Sequence, residues 1–204
     1  MIDTSWLKIS KPGLYVPPAY AHIDPVRAVD TAIITHGHAD HARAGHGHVI
    51  ATPETLAIMS ARYGANFAAQ QTALPYNQQL MLGDVNMKLI PAGHVLGSAQ
   101  IVLEYANTKI IAAGDYKRRS DPTCRPFQVE HCDVFITEAT FGLPVFAHPE
   151  PETQIKKLLE VQHLFPERSI IIGAYSLGKA QRLIALLREA GYDETIFIHG
   201  AMKK

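Results

Sequence analysis

The order of apolar and polar residues predicts that strands and helices alternate along the chain. A helix is predicted over residues 53–63, because Thr52 can cap it, Pro53 suits its first position and Gly64 can end it. The apolar residues of this helix share one face, at Leu56, Met59 and Tyr63. Further apolar runs predict buried or half-buried strands at 101–105, 109–113 and 134–137.

A change in composition follows the last of these strands. Prolines at 144, 149 and 151 interrupt the chain, and a second set of elements then follows in βαβ order. These elements are a helix over 152–164, a strand over 169–173, a helix over 176–190 and a strand over 195–199. We therefore expect a domain boundary near residue 148, with one domain over 1–148 and a second over 149–204.

Composition limits the class of protein without identifying its chemistry. The chain has 204 residues, of which 47% are hydrophobic, so it can bury a substantial core. No stretch approaches the roughly 18 to 20 apolar residues of a membrane span, and no basic leader precedes an apolar run. A soluble, cytoplasmic protein without a membrane partner is expected, and Cys124 and Cys132 are expected to be free thiols.

Net charge gives no sign of a nucleic-acid partner. The 19 basic and 19 acidic residues balance, so any such binding must depend on local charge. A local basic run lies at 117–119 with Arg125 nearby, and either it contacts a phosphate backbone or it is a solvated loop. Lys117 and Arg118 are the candidate substrate contacts.

Three short motifs predict a metal site. Residues 35–41 hold His36, His38, Asp40 and His41 directly after the apolar run 32–34. Side chains at this spacing cannot all point inward from one strand or one helix face, whereas a loop at a strand end can aim them at one ion. His94 lies between glycines after the alternating run Val85, Met87 and Leu89, and Asp115 ends another predicted strand.

In this order the motifs resemble those of the metallo-β-lactamase-fold hydrolases. The resemblance implies an αββα sandwich of α/β class with metals at the edge of its sheets. Residues 135–142, with Glu138, resemble the acidic motif of the β-CASP branch, whose Artemis-like and mRNA 3′-end-processing members cut DNA or RNA. The resemblance implies that residues 1–148 are the N-terminal portion of the metallo-β-lactamase domain and that residues 149–204 are the start of a β-CASP α/β insert. Within this branch the chain is most similar to the bacterial ligase-associated DNA exonucleases, in the runs 13–15, 23–25, 51–56, 114–118, 121–124, 142–146 and 173–181.

The number of candidate ligands indicates two metal ions. His36, His38, Asp40, His41, His94 and Asp115 are six ligands, more than the four that a single tetrahedral ion takes. The resemblance implies that His36, His38 and His94 hold one ion, that Asp40 and His41 hold a second, and that Asp115 bridges the two. Zn²⁺ is the expected metal, with Mn²⁺ as the alternative.

The resemblance also assigns roles to Asp24 and Glu138. Asp24 is expected to orient the site loops and the ligands by hydrogen bonding. Glu138 is expected to act with a later histidine on the leaving oxygen of a phosphodiester. The later histidine motifs of the family have no counterpart in this sequence, so the expectation is a shortened chain with an under-coordinated second ion.

Residues 173–180 nearly match a phosphate-binding P-loop. The match fails at Ala180, where a P-loop needs a hydroxyl to hold Mg²⁺. The start of the following helix can still bind a nucleic-acid phosphate through free N–H groups, which makes Ser176 and Lys179 candidate contacts.

Three functions stay open on the sequence alone. The first is a metal-dependent DNA exonuclease that acts in repair beside an ATP-dependent DNA ligase, with Asp40, Asp115 and Glu138 as its catalytic residues. The second is an RNA-processing nuclease with the same site. The third is a catalytically silent chain that retains metal or nucleic-acid binding.

Overall fold

A computed structural model describes residues 3–203, in two compact units, Met1–Glu138 and Ala139–Lys204. The two units divide after Glu138, before the proline-containing segment from which a boundary near residue 148 was predicted. The assignment of domains to 1–148 and 149–204 therefore stays a prediction.

The first unit contains two β-sheets. The strands of its six-stranded sheet, in spatial order, are β1 (Lys8–Ile9), β2 (Leu14–Val16), β3 (Ala21–Ile23), β4 (Thr31–Ile33), β5 (His46–Ala51) and β6 (Ala68–Ala73). The strands of its five-stranded sheet, in sequence order, are β7 (Gln79–Leu82), β8 (Val85–Pro91), β9 (Ala99–Tyr105), β10 (Thr108–Ala112) and β11 (Val134–Ile136). A short 3-10 helix, Pro17–Ala19, precedes β3.

Strand direction differs between the two sheets. In the first, β1 to β3 are antiparallel, and β3 to β6 run parallel to one another. In the second, β7 to β10 form an antiparallel meander, and β11 pairs in parallel with β10. The three strands predicted over 101–105, 109–113 and 134–137 are thus confirmed as β9, β10 and β11, with ends that differ by one or two residues.

The core lies between the two sheets. Ile33 and Ile50 of the first sheet belong to the same buried cluster as Leu89, Ile101 and Ile110 of the second. These residues alternate with outward-facing ones along each strand, as expected for a sandwich. The expected α/β sandwich is confirmed.

Helix α1 (Pro53–Tyr63) covers the outer face of the first sheet and matches its predicted bounds. Its Met59 is buried in one cluster with Ala32 of β4 and Val49 of β5. Thr52 caps the helix, since its side chain accepts a hydrogen bond from the backbone N–H of Thr55.

The second unit contains helices α2 (Pro151–Leu164) and α3 (Lys179–Glu189) and a 3-10 turn, Gly200–Met202. The helix predicted over 152–164 is confirmed. The helix predicted from 176 begins at Lys179, because the Gln181 side chain bonds the backbone N–H of Gly178 and the carbonyl of Ser176 and thereby holds the preceding residues in a turn.

The strands predicted over 169–173 and 195–199 are wrong. Within the described part of this unit no residue is in a strand. A strand needs a neighbouring strand with which it forms hydrogen bonds, and neither segment has one among the described residues. Ile171 and Phe197, which lie in these segments, are 94% and 93% exposed. Among residues 3–203, no helix is long and apolar enough to cross a membrane.

The fully buried Leu89 generates a stability prediction. Leu89→Ala should lower the free energy of unfolding of the first unit by about 2–4 kcal/mol, because it leaves a cavity between the sheets. Met81→Ala is the control, since Met81 is 62% exposed, and it should cost less than about 1 kcal/mol. Urea unfolding followed by the fluorescence of Trp6, the only tryptophan, measures both values. Equal losses for the two variants would contradict the placement of the core.

Candidate metal centre

The first candidate ligands lie in the loop that follows β4. Beyond Ile34 the chain leaves the sheet and turns, with the backbone N–H groups of His41 and Ala42 both donating to the carbonyl of His38. The carbonyl of Thr35 accepts a hydrogen bond from the N–H of Ala99 at 2.8 Å, which ties the start of the loop to the second sheet. The turn brings His36, His38 and His41 to one side.

His94 and Asp115 follow the carboxyl ends of β8 and β10. The Ser98 hydroxyl oxygen accepts hydrogen bonds from the N–H groups of His94 (3.0 Å) and Val95 (3.1 Å), which holds the turn that carries His94. Gly114 has a φ of +57°, and a Cβ there would lie 2.7 Å from Thr35 Cβ. Glycine at this position therefore lets Asp115 approach the histidine loop.

Four side chains converge on one point, and we call His36, His38, His94 and Asp115 the His36 cluster. One ligand atom from each lies within 4.8 Å of all the others. His38 Nδ1 is 3.0 Å from His36 Nε2 and 3.2 Å from His94 Nε2. One ring nitrogen carries at most one proton, so direct hydrogen bonds cannot satisfy all three nitrogens, whereas an ion can accept the lone pairs of all three.

Asp115 faces histidines with both of its oxygens. Its Oδ2 is 3.8 Å from His36 Nε2 and 3.6 Å from His94 Nε2. Its Oδ1 is 3.6 Å from His41 Nε2, and His41 Nε2 is also 3.7 Å from Asp40 Oδ2. The arrangement can accommodate two cations, one on each side of the Asp115 carboxylate.

Asp24 determines which ring nitrogens are available for metal. Its carboxylate accepts hydrogen bonds from Thr35 N (2.8 Å), Thr35 Oγ1 (2.5 Å) and His41 Nδ1 (2.8 Å). Because the Thr35 hydroxyl donates to Asp24, it can only accept from His36 Nδ1, which lies 3.0 Å away. His36 and His41 are thus both protonated at Nδ1, and their Nε2 lone pairs face Asp115.

Asp24, His36 and His41 also form a second group with ligand atoms within 4.8 Å of one another. The three hydrogen bonds that Asp24 already accepts favour an orienting role over direct ligation. Thr35, which connects Asp24 to His36, was not singled out from the sequence. Its position directly before the histidine motif is the only signal that could have indicated it.

The electrostatics favour neutral imidazoles in the His36 cluster. Burial lowers the pKa of His36 far below its ordinary value, and His41, His94 and His38 lower it further. Burial, with His38 and Lys117, lowers the pKa of His94 to about 4. Neutral imidazole is the form that binds a metal ion.

His41 differs from these two histidines. Burial alone would lower the pKa of His41, but the hydrogen bond and the charge of Asp24, together with Asp115 and Asp40, raise it above the ordinary value. A cation on the Nε2 side of His41 is therefore compatible with the charges around it.

Glu138 follows the end of β11, next to the strand that leads to Asp115. Burial lowers the pKa of His94, and the charge of Glu138 opposes that effect. Burial raises the pKa of Asp115, and the charge of Glu138 raises it further. Thr137 Oγ1 donates to the phenol oxygen of Tyr116 at 3.2 Å, and this contact links the residues beside Glu138 and Asp115. The structure thus brings Glu138 to the same edge of the sandwich.

The candidate substrate contacts have different environments. Lys117 forms an ion pair with the buried carboxylate of Asp121, whereas Arg118 is exposed. Ser176 and Lys179 belong to the second unit, where the Lys179 ammonium lies 4.5 Å from the centre of the Tyr175 ring.

Comparisons with known proteins match most of the chain to one superfamily. A family model described as the metallo-beta-lactamase superfamily matches residues 3–171. A probable DNA ligase of Opitutus terrae is 30% identical over 182 residues, which cover 87% of this chain and 18% of that protein. Endoribonuclease ysh-1 of Neurospora crassa is 28% identical in an alignment that covers 87% of this chain and 25% of that protein.

The chain therefore spans about a quarter or less of the length of these two relatives. Among solved structures, a protein of unknown function from Enterococcus faecalis V583 aligns with a TM-score of 0.51 and 15% identity. That alignment covers 84% of this chain and 54% of the other. At this identity the likeness supports the fold alone.

The hydrogen bonds of Asp24 generate a prediction about metal affinity. Asp24→Asn should weaken zinc binding about 10- to 100-fold, because an amide has one acceptor oxygen and cannot accept both from Thr35 N at one position and from the Thr35 hydroxyl and His41 at the other. Competition with a chromogenic chelator measures the affinity. Asp30→Asn, at an exposed carboxylate on the segment before β4, is the control and should bind as the wild type does. Unchanged affinity in Asp24→Asn would show that Asp24 does not orient the ligands.

The environment of Asp121 generates a prediction about pH. Burial alone would raise the pKa of Asp121, but hydrogen bonds from Lys117 and Thr123 hold it below its ordinary value. A depressed pKa means that the stabilisation is present at neutral pH and is lost as the pH falls through the pKa of the folded state. Asp121→Asn should therefore destabilise the first unit by about 1–3 kcal/mol at pH 7, and by less below about pH 4.

Urea unfolding of the wild type and of Asp121→Asn at several pH values tests this expectation. Asp84→Asn, at an exposed position between β7 and β8, serves as the control. If the free energies of unfolding of Asp121→Asn and the wild type differ by the same amount at every pH, the ion pair between Asp121 and Lys117 is contradicted.

Proposed function

Because the chain belongs to the metallo-beta-lactamase superfamily, we propose that it is a metal-dependent phosphodiesterase of that superfamily. The observation that supports the proposal best is the convergence of three imidazole nitrogens on Asp115, with His41 on the other side of the same carboxylate. Such a donor set suits a pair of divalent cations.

The proposed ligands divide between two ions. His36, His38 and His94 would hold the first, Asp40 and His41 would hold the second, and Asp115 would contribute to both. Imidazole and carboxylate donors in this number favour Zn²⁺, and Mn²⁺ is the alternative. Bound divalent ions supply Lewis-acid activation of water and of the phosphate group.

The protein's own residues orient and transfer protons. Asp24 and Thr35 keep the protons of His41 and His36 on Nδ1, away from the substrate side. Glu138 protonates or orients the leaving oxygen of the phosphodiester in this proposal, and its electrostatic interaction with His94 and Asp115 supports that role. Arg118 is the stronger candidate for a phosphate contact, since Lys117 is occupied by Asp121. Ser176 and Lys179 contribute further phosphate contacts in this proposal.

The proposed substrate is DNA, and the proposed activity is an exonuclease that acts in cytoplasmic DNA repair beside an ATP-dependent DNA ligase. The similarity to ligase-associated DNA exonucleases supports it, as does the relative described as a probable DNA ligase. RNA is the second candidate, because another relative is described as an endoribonuclease. A metal- or nucleic-acid-binding chain without turnover is the third.

Asp115 provides the sharpest test of the proposal. Asp115→Asn should reduce nucleotide release from end-labelled DNA by at least about 100-fold, because a neutral amide cannot bridge two cations. The measurement uses the full chain with added Zn²⁺ or Mn²⁺, and the melting temperature in EDTA verifies that the variant folds. Asp84→Asn should cleave as the wild type does.

The outcomes separate the three candidate functions. Release from DNA that Asp115→Asn abolishes supports the exonuclease. Release from a matched RNA alone favours the RNA-processing nuclease. Binding of zinc by the wild type without release from either substrate favours the silent chain. Cleavage that Asp115→Asn leaves unchanged would contradict the proposed site.

A further inference from the structure

Helix α1 contacts both loops that carry the histidines of the His36 cluster. Arg62, in its last turn, donates a hydrogen bond from Nη1 to the carbonyl oxygen of Gly37 at 2.7 Å. Gly37 lies between His36 and His38, and this bond fixes the peptide group that links Gly37 to His38.

The start of the same helix holds the other loop. The hydroxyls of Thr52 and Thr55 donate to the carbonyl oxygen of Gly97, at 2.7 and 3.1 Å. Both threonines are fully buried, so the two bonds form away from competing water. Gly97 belongs to the turn that carries His94.

The packing between α1 and these loops is close at both ends. A Cβ at Gly37 would lie 2.7 Å from Ile58 Cγ2, and a Cβ at Gly97 would lie 2.8 Å from Glu54 Cβ. Gly97 also has a φ of +79°, which disfavours any other residue. Both loops therefore rest on the helix with no space for a side chain between them.

We propose that α1 is the common support of the two histidine loops and that Arg62 is a positioning residue for the metal ligands. The inference depends on the proposed metal centre. Arg62 acts through the backbone of Gly37 rather than through a candidate ligand side chain. Its guanidinium lies 5.5 Å from the centre of the Tyr63 ring, a contact that limits its rotamers.

The physical reason is preorganisation. A loop of small residues, Gly37 and Ala39, samples many conformations unless its backbone is held. Each hydrogen bond from α1 removes part of the entropy that metal binding would otherwise have to overcome. Because Arg62 is exposed to solvent, its contribution should be smaller than that of a buried partner.

The test compares zinc affinities of the full chain in the wild type, Arg62→Ala and Arg62→Lys. Arg62→Ala should bind zinc about 3- to 30-fold more weakly, which is less than the roughly 10- to 100-fold expected for a side chain that bonds a ligand directly, because Arg62 acts through the backbone. Arg62→Lys should recover part of this loss, because an ammonium can donate to the same carbonyl. Competition with a chelator measures the affinities, and the visible spectrum of the Co²⁺-substituted protein reports a changed ligand geometry.

Arg43→Ala is the matched control. Arg43 is an exposed arginine in the loop that carries His36, His38 and His41. Among residues 3–203, its side chain forms no hydrogen bond or ion pair. It should bind zinc as the wild type does. Arg62→Ala should also keep the metal-free melting temperature of the wild type and lose part of the increase that zinc produces.

Two results would overturn the inference. One is an Arg62→Ala affinity equal to that of the wild type. The other is an equal loss in Arg62→Ala and Arg62→Lys with a lower metal-free melting temperature, which would indicate a role in folding alone. If Arg62→Ala does not fold, Thr55→Val tests the same support at the other loop, and it should weaken zinc binding by a similar factor.

The zinc measurements use no nucleic acid, so they separate this inference from the proposed function. A wild type that binds zinc through an Arg62-dependent loop but cleaves neither DNA nor RNA contradicts only the nuclease. A nuclease whose zinc affinity is the same in Arg62→Ala contradicts only the role of Arg62. A wild type that binds no zinc contradicts both.

Discussion

The carboxylate of Asp24 is the constraint on which the geometry of the site depends. It accepts hydrogen bonds from Thr35 and His41, and through the Thr35 hydroxyl it also determines the protonation of His36. Asp24 itself has a φ of +42°, a left-handed conformation that aspartate tolerates better than most residues. One acidic side chain thereby gives two histidines the tautomer in which their Nε2 lone pairs face Asp115.

The sandwich explains why these residues meet. Asp24, Thr35, His94, Asp115 and Glu138 each follow closely on the carboxyl end of a strand, β3, β4, β8, β10 and β11 respectively. The core between the sheets brings these strand ends to one edge. The hydrogen bond between Ala99 N and the carbonyl of Thr35 connects the two sheets at this edge, so residues far apart in sequence can share one site.

Local patterns in the sequence indicated side chains that the structure brings close together. Clustered His and Asp residues after an apolar run predict ligands, and Thr52, Pro53 and Gly64 predict the bounds of α1. Contacts between residues far apart in the sequence leave no such local pattern. The hydrogen bond from Arg62 to the Gly37 carbonyl is one of these contacts. The strands predicted over 169–173 and 195–199 failed because an apolar run identifies a possible strand but not the neighbour it must pair with. Lys117 was a candidate substrate contact in the sequence, and only the structure showed its pairing with Asp121.

Three imidazole nitrogens and the two sides of the Asp115 carboxylate form the proposed site for a pair of cations. The most direct measurement is an anomalous difference map, recorded at the zinc absorption edge, from crystals of the full chain grown with Zn²⁺. We expect one peak among His36, His38 and His94 and a second beside His41, with Asp115 between them. A map with no peak at these residues would contradict it.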